Sequence, residues 1–143
     1  MVLELLAGVL IIFLCIICES FFSGTETAFV SLDRAKIKAL AEKGDKRAIG
    51  INSFLQKPES FFSTTLLGTN LSVVISNTIA TIMVITYLGE SHEYITILIM
   101  APLLLVFGEI VPKTVYRYHA DQISPRIVAP AITLSGATMR GDI

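Results

Sequence analysis

Glu109 is the residue whose position most strongly indicates chemistry. It lies in residues 94–112, a stretch long enough to cross a bilayer in which no other side chain is charged. An acidic group well inside hydrocarbon costs about 2.5–3.5 kcal/mol even on lenient insertion scales, so such residues usually face a polar cavity, an ion or a partner. Pro112 has no N–H, and its ring would clash with the carbonyl of Gly108 in a regular helix. The segment therefore offers a carboxylate and a backbone carbonyl, two hard oxygen donors, side by side at membrane depth.

The composition indicates a membrane protein rather than a soluble domain. Hydrophobic residues make up 53% of the chain and charged residues 16%, and the mean hydropathy is +0.72. A helix needs about 20 apolar residues to cross a bilayer, and the stretches at about 5–32, 61–88 and 94–112 are long enough. The first has Glu4 in place of a basic n-region, so it is interpreted as a retained helix and not as a signal peptide. We predict an all-α membrane protein with three transmembrane helices, forming a single domain over residues 1–143.

The basic residues predict the orientation, because short loops rich in Lys and Arg stay in the cytoplasm. Such residues are abundant between the first two spans and absent from residues 89–93, between the second and third. The N-terminus should therefore lie outside the cell membrane and the C-terminus in the cytoplasm. Residues 34–57, with a stop at Gly44 and an N-cap at Asp45, and residues 113–139 should form cytoplasmic juxtamembrane helices, a belt against the bundle.

Two further polar residues should lie near the middle of the bilayer. At about 1.5 Å of rise per residue, Ser23 is about 15 Å and Asn70 about 13–14 Å from the cytoplasmic boundary, whereas Glu109 is about 6 Å from it. The three would converge best in a cavity that opens to the cytoplasm. A plainer interpretation stays open for hydroxyl side chains such as Ser23 and Thr69, because in membrane helices these usually hydrogen-bond to a neighbouring helix.

Two acidic residues also interrupt the first span. Glu19 and Glu26 could be protonated and paired between helices, or they could have a functional role. Gly24, which follows Ser23, could simply kink the helix. For Glu109, with a glycine before it and a proline three residues after it, we favour function over packing.

The available donors favour a hard cation. The predicted spans contain no histidine, and Cys15 and Cys18 form a pair that is more often apolar packing than a metal or redox site. Hydroxyl, amide, carboxylate and backbone oxygens suit Mg²⁺, Ca²⁺, Mn²⁺ or Na⁺, and a few protein ligands with retained water suit Mg²⁺ in particular. An intramembrane hydrolase is the least favoured function, because Ser23 has no histidine at its depth to act as a base.

Three motifs, in this order and at this spacing, resemble the transmembrane domain of the CorC/CNNM family of magnesium transporters. They are F-F-S-G-T-E-T-A-F at residues 21–29, L-L-G-T-N-L at 66–71 and G-E-I-V-P-K at 108–113. The resemblance implies three spans with the N-terminus outside, a cytoplasmic helical belt, a homodimer and a Mg²⁺ ion held at the inner face of the bundle. It also implies the ligands of that ion: Ser23, Thr69, Asn70, and Glu109 with the Gly108 carbonyl.

The chain departs from the family pattern in two places. Many members have a second Asn three residues after the position of Asn70, where this chain has Val73. The family also usually continues into paired cystathionine-β-synthase-type modules that bind ATP. Because this chain ends at Ile143, we assign no nucleotide regulation to it, and it is interpreted as an isolated transport domain or a piece of a longer protein.

The favoured function is transport of Mg²⁺ across the cell membrane by alternating access, in a protein that is not an enzyme. With the inside negative by about 100 mV, export of a divalent cation costs about 4.6 kcal/mol, so efflux would need coupling to Na⁺ or H⁺ entry. Glu26 or Glu19 could serve that coupling ion. The expected partners are membrane lipid, a second copy of the chain and the transported ions, with no nucleic acid. The alternative is a non-transporting membrane scaffold or a Mg²⁺ sensor.

Overall fold

The computed structural model describes residues 1–119 and is helical throughout that part, without a strand. The α-helices are α1 (Val2–Val30), α2 (Arg34–Glu42), α3 (Lys46–Gln56), α4 (Pro58–Leu88), α5 (Tyr94–Leu103) and α6 (Val111–Tyr118). A 3-10 turn, Glu90–His92, precedes α5, and a π-helical segment, Leu104–Ile110, joins α5 to α6. Three helices are long and apolar enough to cross a membrane: Val2–Val30, Pro58–Leu88 and Glu90–Tyr118. The predicted all-α fold with three membrane-spanning helices is confirmed.

The third long helix differs from its predicted form at its C-terminal end. It continues through Pro112 as far as Tyr118 instead of ending at the proline. The proline is at the start of α6, directly after the π-helical segment. Glu109 is thus nine residues from the end of this helix at Tyr118, about 13–14 Å at 1.5 Å per residue.

Helices α1 and α4 pack antiparallel along their length. Near one end the Phe29 ring stacks on that of Phe61, with 4.2 Å between the ring centroids. Further along, the Phe22 ring lies over Gly68, so close that a Cβ at Gly68 would be 2.6 Å from it. The opposite side of α1 packs against the π-helical segment and α6. Helix α1 therefore contacts both of the other long helices, which also contact each other through α4 and α5.

The helices between α1 and α4 follow their predicted boundaries. Gly44 separates α2 from α3 with a φ of 89°, a conformation that glycine adopts without strain. The Asp45 side chain caps α3 by accepting hydrogen bonds from the N–H groups of Arg47 and Ala48. The predicted break and N-cap are therefore confirmed. Of the predicted helix at residues 113–139, the first six residues belong to α6, and the part from residue 120 lies outside the described residues.

Helices α2 and α3 are held against the ends of α1 and α4 by a shared apolar cluster. Its buried members are Ala28, Phe29, Ile37, Ile51, Leu55 and Phe61.

Candidate functional site

Glu19 is the most deeply buried acidic residue among residues 1–119. Its side chain is 2% exposed, and it points from α1 to the π-helical segment, where its carboxyl group lies directly over Gly108. A Cβ added to Gly108 would be 2.5 Å from the Glu19 carboxyl carbon. The absence of a side chain at Gly108 therefore makes room for this carboxyl group. The Oε2 atom of Glu19 has no hydrogen-bond partner within the described residues.

Ser23 lies one helical turn after Glu19, on the same face of α1. It is also buried, and its Oγ has no hydrogen-bond partner in the part of the chain that the structure describes. Other hydroxyls in the bundle donate to their own helix: Thr25 to the Phe21 carbonyl at 2.6 Å, and Ser72 to the Gly68 carbonyl at 2.9 Å. Leaving a buried polar oxygen without a partner costs about 1–3 kcal/mol. Glu19 and Ser23 thus place two such oxygens on one face of α1.

Glu109 brings a second carboxylate to the same place. It follows Gly108 directly, is half-buried, and lies near enough to Glu19 for the two charges to interact. Pro112 cannot donate a hydrogen bond to the Gly108 carbonyl, because it has no N–H. The π-helical segment thus places Gly108 against the Glu19 side chain of α1, and the roles predicted for Glu109 and the Gly108 carbonyl stay predictions.

The two predicted ligands on α4 are placed differently. Thr69 is half-buried, and its Oγ1 donates to the Thr65 carbonyl at 2.8 Å. Asn70 is exposed on the surface of the bundle. It lies about 180–200° around α4 from the buried residues Phe61 and Ser72, at about 100° per residue. The structure therefore brings Glu19, together with Ser23, to Gly108 and Glu109, and it does not bring Asn70 there.

The remaining predicted residues lie nearer the C-terminal end of α1. Gly24 does not interrupt α1, which runs unbroken from Val2 to Val30. The ring of Tyr116 lies against it, where a Cβ would be 2.7 Å from the ring. Glu26 is half-buried and lines a cavity of about 510 Å³ between α1 and α6. Gly24 therefore permits close packing of α1 on α6, and Glu26 is separate from the carboxylate of Glu19 by about two turns.

Towards the N-terminal end of α1, apolar side chains close the space beyond Glu19. Ala80, Met100 and Leu104 are buried together, and Ile12, Ile16 and Val73 pack against them. Val73, at a position where the family often has Asn, thus belongs to an apolar cluster. A third buried oxygen without a partner in residues 1–119, Oγ1 of Thr96, is on α5.

The chemistry of the assembled groups suits a hard cation. Within residues 1–119 no three His, Cys, Asp or Glu side chains are grouped as a metal cluster. The groups present are two carboxylates, one hydroxyl and one backbone carbonyl, all oxygen donors of the kind that Mg²⁺ and Ca²⁺ take. Sequence analysis had given Glu19 a coupling or structural role. Its four-residue spacing from Ser23 is the signal that places both on one face.

Comparison with known proteins agrees with the three motifs. The family model described as the Cyclin M transmembrane N-terminal domain matches residues 10–139. A UPF0053 protein of Haemophilus influenzae is 33% identical over 115 residues, which are 80% of this chain and 27% of the relative. The UPF0053 inner membrane protein YfjD of Escherichia coli is 27% identical over 106 residues, 74% of this chain and 25% of the relative. The chain thus spans about a quarter of the length of these relatives. Because the family model covers most of the sequence, this chain belongs to the CNNM family, of which it is a membrane domain.

Proposed function

We propose that this domain binds Mg²⁺ within the membrane and moves it across by alternating access. The observation that carries the proposal is the meeting of Glu19 and Ser23 on α1 with Gly108 and Glu109 on the π-helical segment. Two of these side chains are buried with an oxygen that lacks a partner within residues 1–119. A divalent cation would neutralise both carboxylates and satisfy both of those oxygens. Mg²⁺ retains several of its waters, so a small set of protein ligands is enough.

The arrangement of apolar and polar regions around the site supports transport over permanent storage. The apolar cluster that includes Met100 and Leu104 closes one side, whereas the cavity lined by Glu26 lies about one turn from Ser23 on the other. With the N-terminus outside, which is the orientation that the loop charges favour, the site is nearer to the cytoplasm. The ion would be taken up from the cytoplasmic side and released outward after the apolar cluster opens.

The proposed direction is efflux from the cell, coupled to entry of Na⁺ or H⁺. Moving a divalent cation outward against about 100 mV costs about 4.6 kcal/mol before any concentration difference. Glu26 is half-buried in the cavity on the proposed cytoplasmic side, where it could hold the coupling ion. The E. coli relative is named an inner membrane protein, and we propose the cell membrane as the location of this chain too.

We also propose that two copies of the chain assemble. Asn70 is exposed on the middle of α4, and Ser63 and Asn77 lie seven residues to either side, so all three share one face. Among residues 1–119 no hydrogen bond is made by the Asn70 side chain. An amide that faces lipid is costly, and polar side chains in membrane helices usually pair across helices. A second copy would cover this face and leave the Glu19 site within each copy.

The proposal is tested by Mg²⁺ binding and Mg²⁺ flux in the same protein. Mg²⁺ should raise the melting temperature of the purified chain, because a ligand at a hundred times its dissociation constant stabilises by about 2.7 kcal/mol. Glu109→Gln and Glu19→Gln keep size and one oxygen donor while removing a charge. Each should weaken binding at least about tenfold, which is about 1.4 kcal/mol, and should slow flux into a dye-loaded proteoliposome.

Glu42→Gln is the matched control, because Glu42 is an exposed carboxylate at the end of α2. It removes the same charge and should leave binding and flux unchanged. Wild-type flux in both Glu109→Gln and Glu19→Gln, at equal incorporation, would remove these carboxylates from the site. Stabilisation by Mg²⁺ without any flux would favour the sensor over the transporter.

A further inference from the structure

A cavity of about 510 Å³ lies between the C-terminal end of α1 and helix α6. It is separate from the Glu19–Gly108 contact and has a different lining. Lys113 and Arg117 on α6 contribute two cations, Glu26 and Ser31 on α1 contribute a carboxylate and a hydroxyl, and Tyr118 is at the edge. The charged side chains of the lining therefore carry a net positive charge.

The two cations are arranged as a pair without a counter-ion. Lys113 and Arg117 are four residues apart, so they lie on the same face of α6. No carboxylate within residues 1–119 approaches either of them to 4.0 Å, since the ion pair found in that part of the chain is between the N-terminus and Glu4. Like charges one turn apart destabilise a helix. An anion bound between them would remove this repulsion.

The surroundings of the cavity indicate which anion. The cavity is at the end of two membrane-spanning helices, and two exposed apolar side chains lie next to its charged groups: Val30 in the lining, and Ile110, one turn before Lys113 on the same face. Tyr118 is 89% exposed at the end of α6, as is typical of aromatic residues at the level of lipid headgroups. A free phosphate would contact only the two cations. A phospholipid would place its phosphate between them and its acyl chains along the apolar side chains.

We propose that this cavity binds the phosphate headgroup of an anionic phospholipid, held by Lys113 and Arg117. The Ser31 hydroxyl makes no hydrogen bond within residues 1–119 and is available to donate to a phosphate oxygen. Basic pockets between membrane helices on the cytoplasmic side are a general means of binding anionic lipid. The inference does not depend on the proposed Mg²⁺ site, because neither Glu19 nor Gly108 lines this cavity.

The experiment measures lipid bound to the detergent-purified chain by native mass spectrometry. Phosphatidylglycerol should be retained, and phosphatidylcholine with the same acyl chains should be retained at least about tenfold less. The double variant Lys113→Gln/Arg117→Gln should lower phosphatidylglycerol retention by roughly tenfold or more, since each basic residue near the surface contributes to the attraction. The charge-preserving variant Lys113→Arg/Arg117→Lys should retain the lipid. If the double Gln variant does not fold, each single Gln variant should show a partial loss.

The matched control is Lys36→Gln/Lys43→Gln, which removes two exposed cations associated with α2 and should leave lipid retention unchanged. An equal loss of lipid in this control would show that the lipid is attracted to any basic surface, and it would overturn the assignment of the lipid to this cavity. Wild-type retention in the Lys113→Gln/Arg117→Gln variant would overturn it too. Inorganic phosphate at the same concentration should not displace the lipid. Complete displacement by phosphate would assign the cavity to a free anion and not to a lipid.

Discussion

At Gly108 the missing side chain determines where a carboxyl group can lie. The Glu19 carboxyl carbon is 2.5 Å from where a Cβ would be, which is far inside van der Waals contact. Glu19 is on α1 and Gly108 is on the π-helical segment, so the sequence around either residue does not reveal the contact between them. Their meeting depends on how α1 is aligned along the third long helix, and no local pattern of either segment specifies that alignment. This is why the sequence identified Glu109, Gly108 and Ser23 as candidates but left the place of Glu19 open.

Gly108→Ala should therefore displace the Glu19 carboxyl group. The atoms that a Cβ would meet are the far end of the flexible Glu19 side chain, so the free energy of unfolding in detergent should fall by no more than the about 1–3 kcal/mol of an overpacked site. The increase in melting temperature that Mg²⁺ produces should become smaller as well, because the Glu19 carboxyl group would move away from the other oxygen donors of the proposed site. Thermal unfolding with and without millimolar Mg²⁺ measures both the stability and the shift in melting temperature.

Gly50→Ala is the control for this substitution, because nothing lies within 4 Å of a Cβ at Gly50. Gly50 is inside α3, so an alanine there should stabilise by about 0.4–1 kcal/mol and leave the response to Mg²⁺ unchanged. A Gly108→Ala protein with wild-type stability and a wild-type response to Mg²⁺ would contradict the role given to this contact.

At the scale of the helices, composition and loop chemistry predicted the structure more fully than the sequence predicted the candidate site. Apolar length identified the three spans, and Gly44 and Asp45 gave the break between α2 and α3, because a positive φ and an N-cap are local requirements. The continuation of the third long helix through Pro112 to Tyr118 was not predicted. A proline usually ends or kinks a helix, and the π-helical segment before it, which lets the helix continue, has no signature in the residue pattern.

The exposed polar face of α4 gives a prediction at this scale. In a chain whose Cys15 and Cys18 are replaced by alanine, Asn70→Cys should form a disulfide-linked or thiol-cross-linked dimer on oxidation. The reason is that a lipid-facing amide in mid-helix is expected to contact a second copy. The fraction of dimer on a non-reducing gel is the measurement.

Leu71→Cys is the control for the cross-link. Leu71 is also exposed and is at nearly the same depth, but it lies about 100° around the helix from Asn70. It should cross-link little. Equal cross-linking at both positions would indicate random collision, and no cross-link at Asn70→Cys would separate this face from any dimer contact.

For the whole molecule, the direction of the chain through the membrane decides what the site can do. The apolar cluster around Met100 and the cavity beside Glu26 lie on opposite sides of Glu19 along α1. If the N-terminus is outside, the cluster would separate an ion at the proposed site from the exterior, and the cavity would be on the cytoplasmic side. The reverse orientation would place the same barrier on the cytoplasmic side, and uptake from the cytoplasm would then need the apolar cluster to open first.

The orientation can be measured with single cysteines in intact cells, after Cys15 and Cys18 are replaced. Ser91→Cys, between α4 and α5, should react with a membrane-impermeant thiol reagent, because a loop without Lys or Arg is expected outside. Lys46→Cys, at the start of α3, should react only after the membrane is permeabilised. Both positions are exposed, so access to the reagent depends on the side of the membrane and not on burial. Labelling at position 46 with none at position 91 would invert the topology, and the proposed uptake of Mg²⁺ from the cytoplasm would then be wrong.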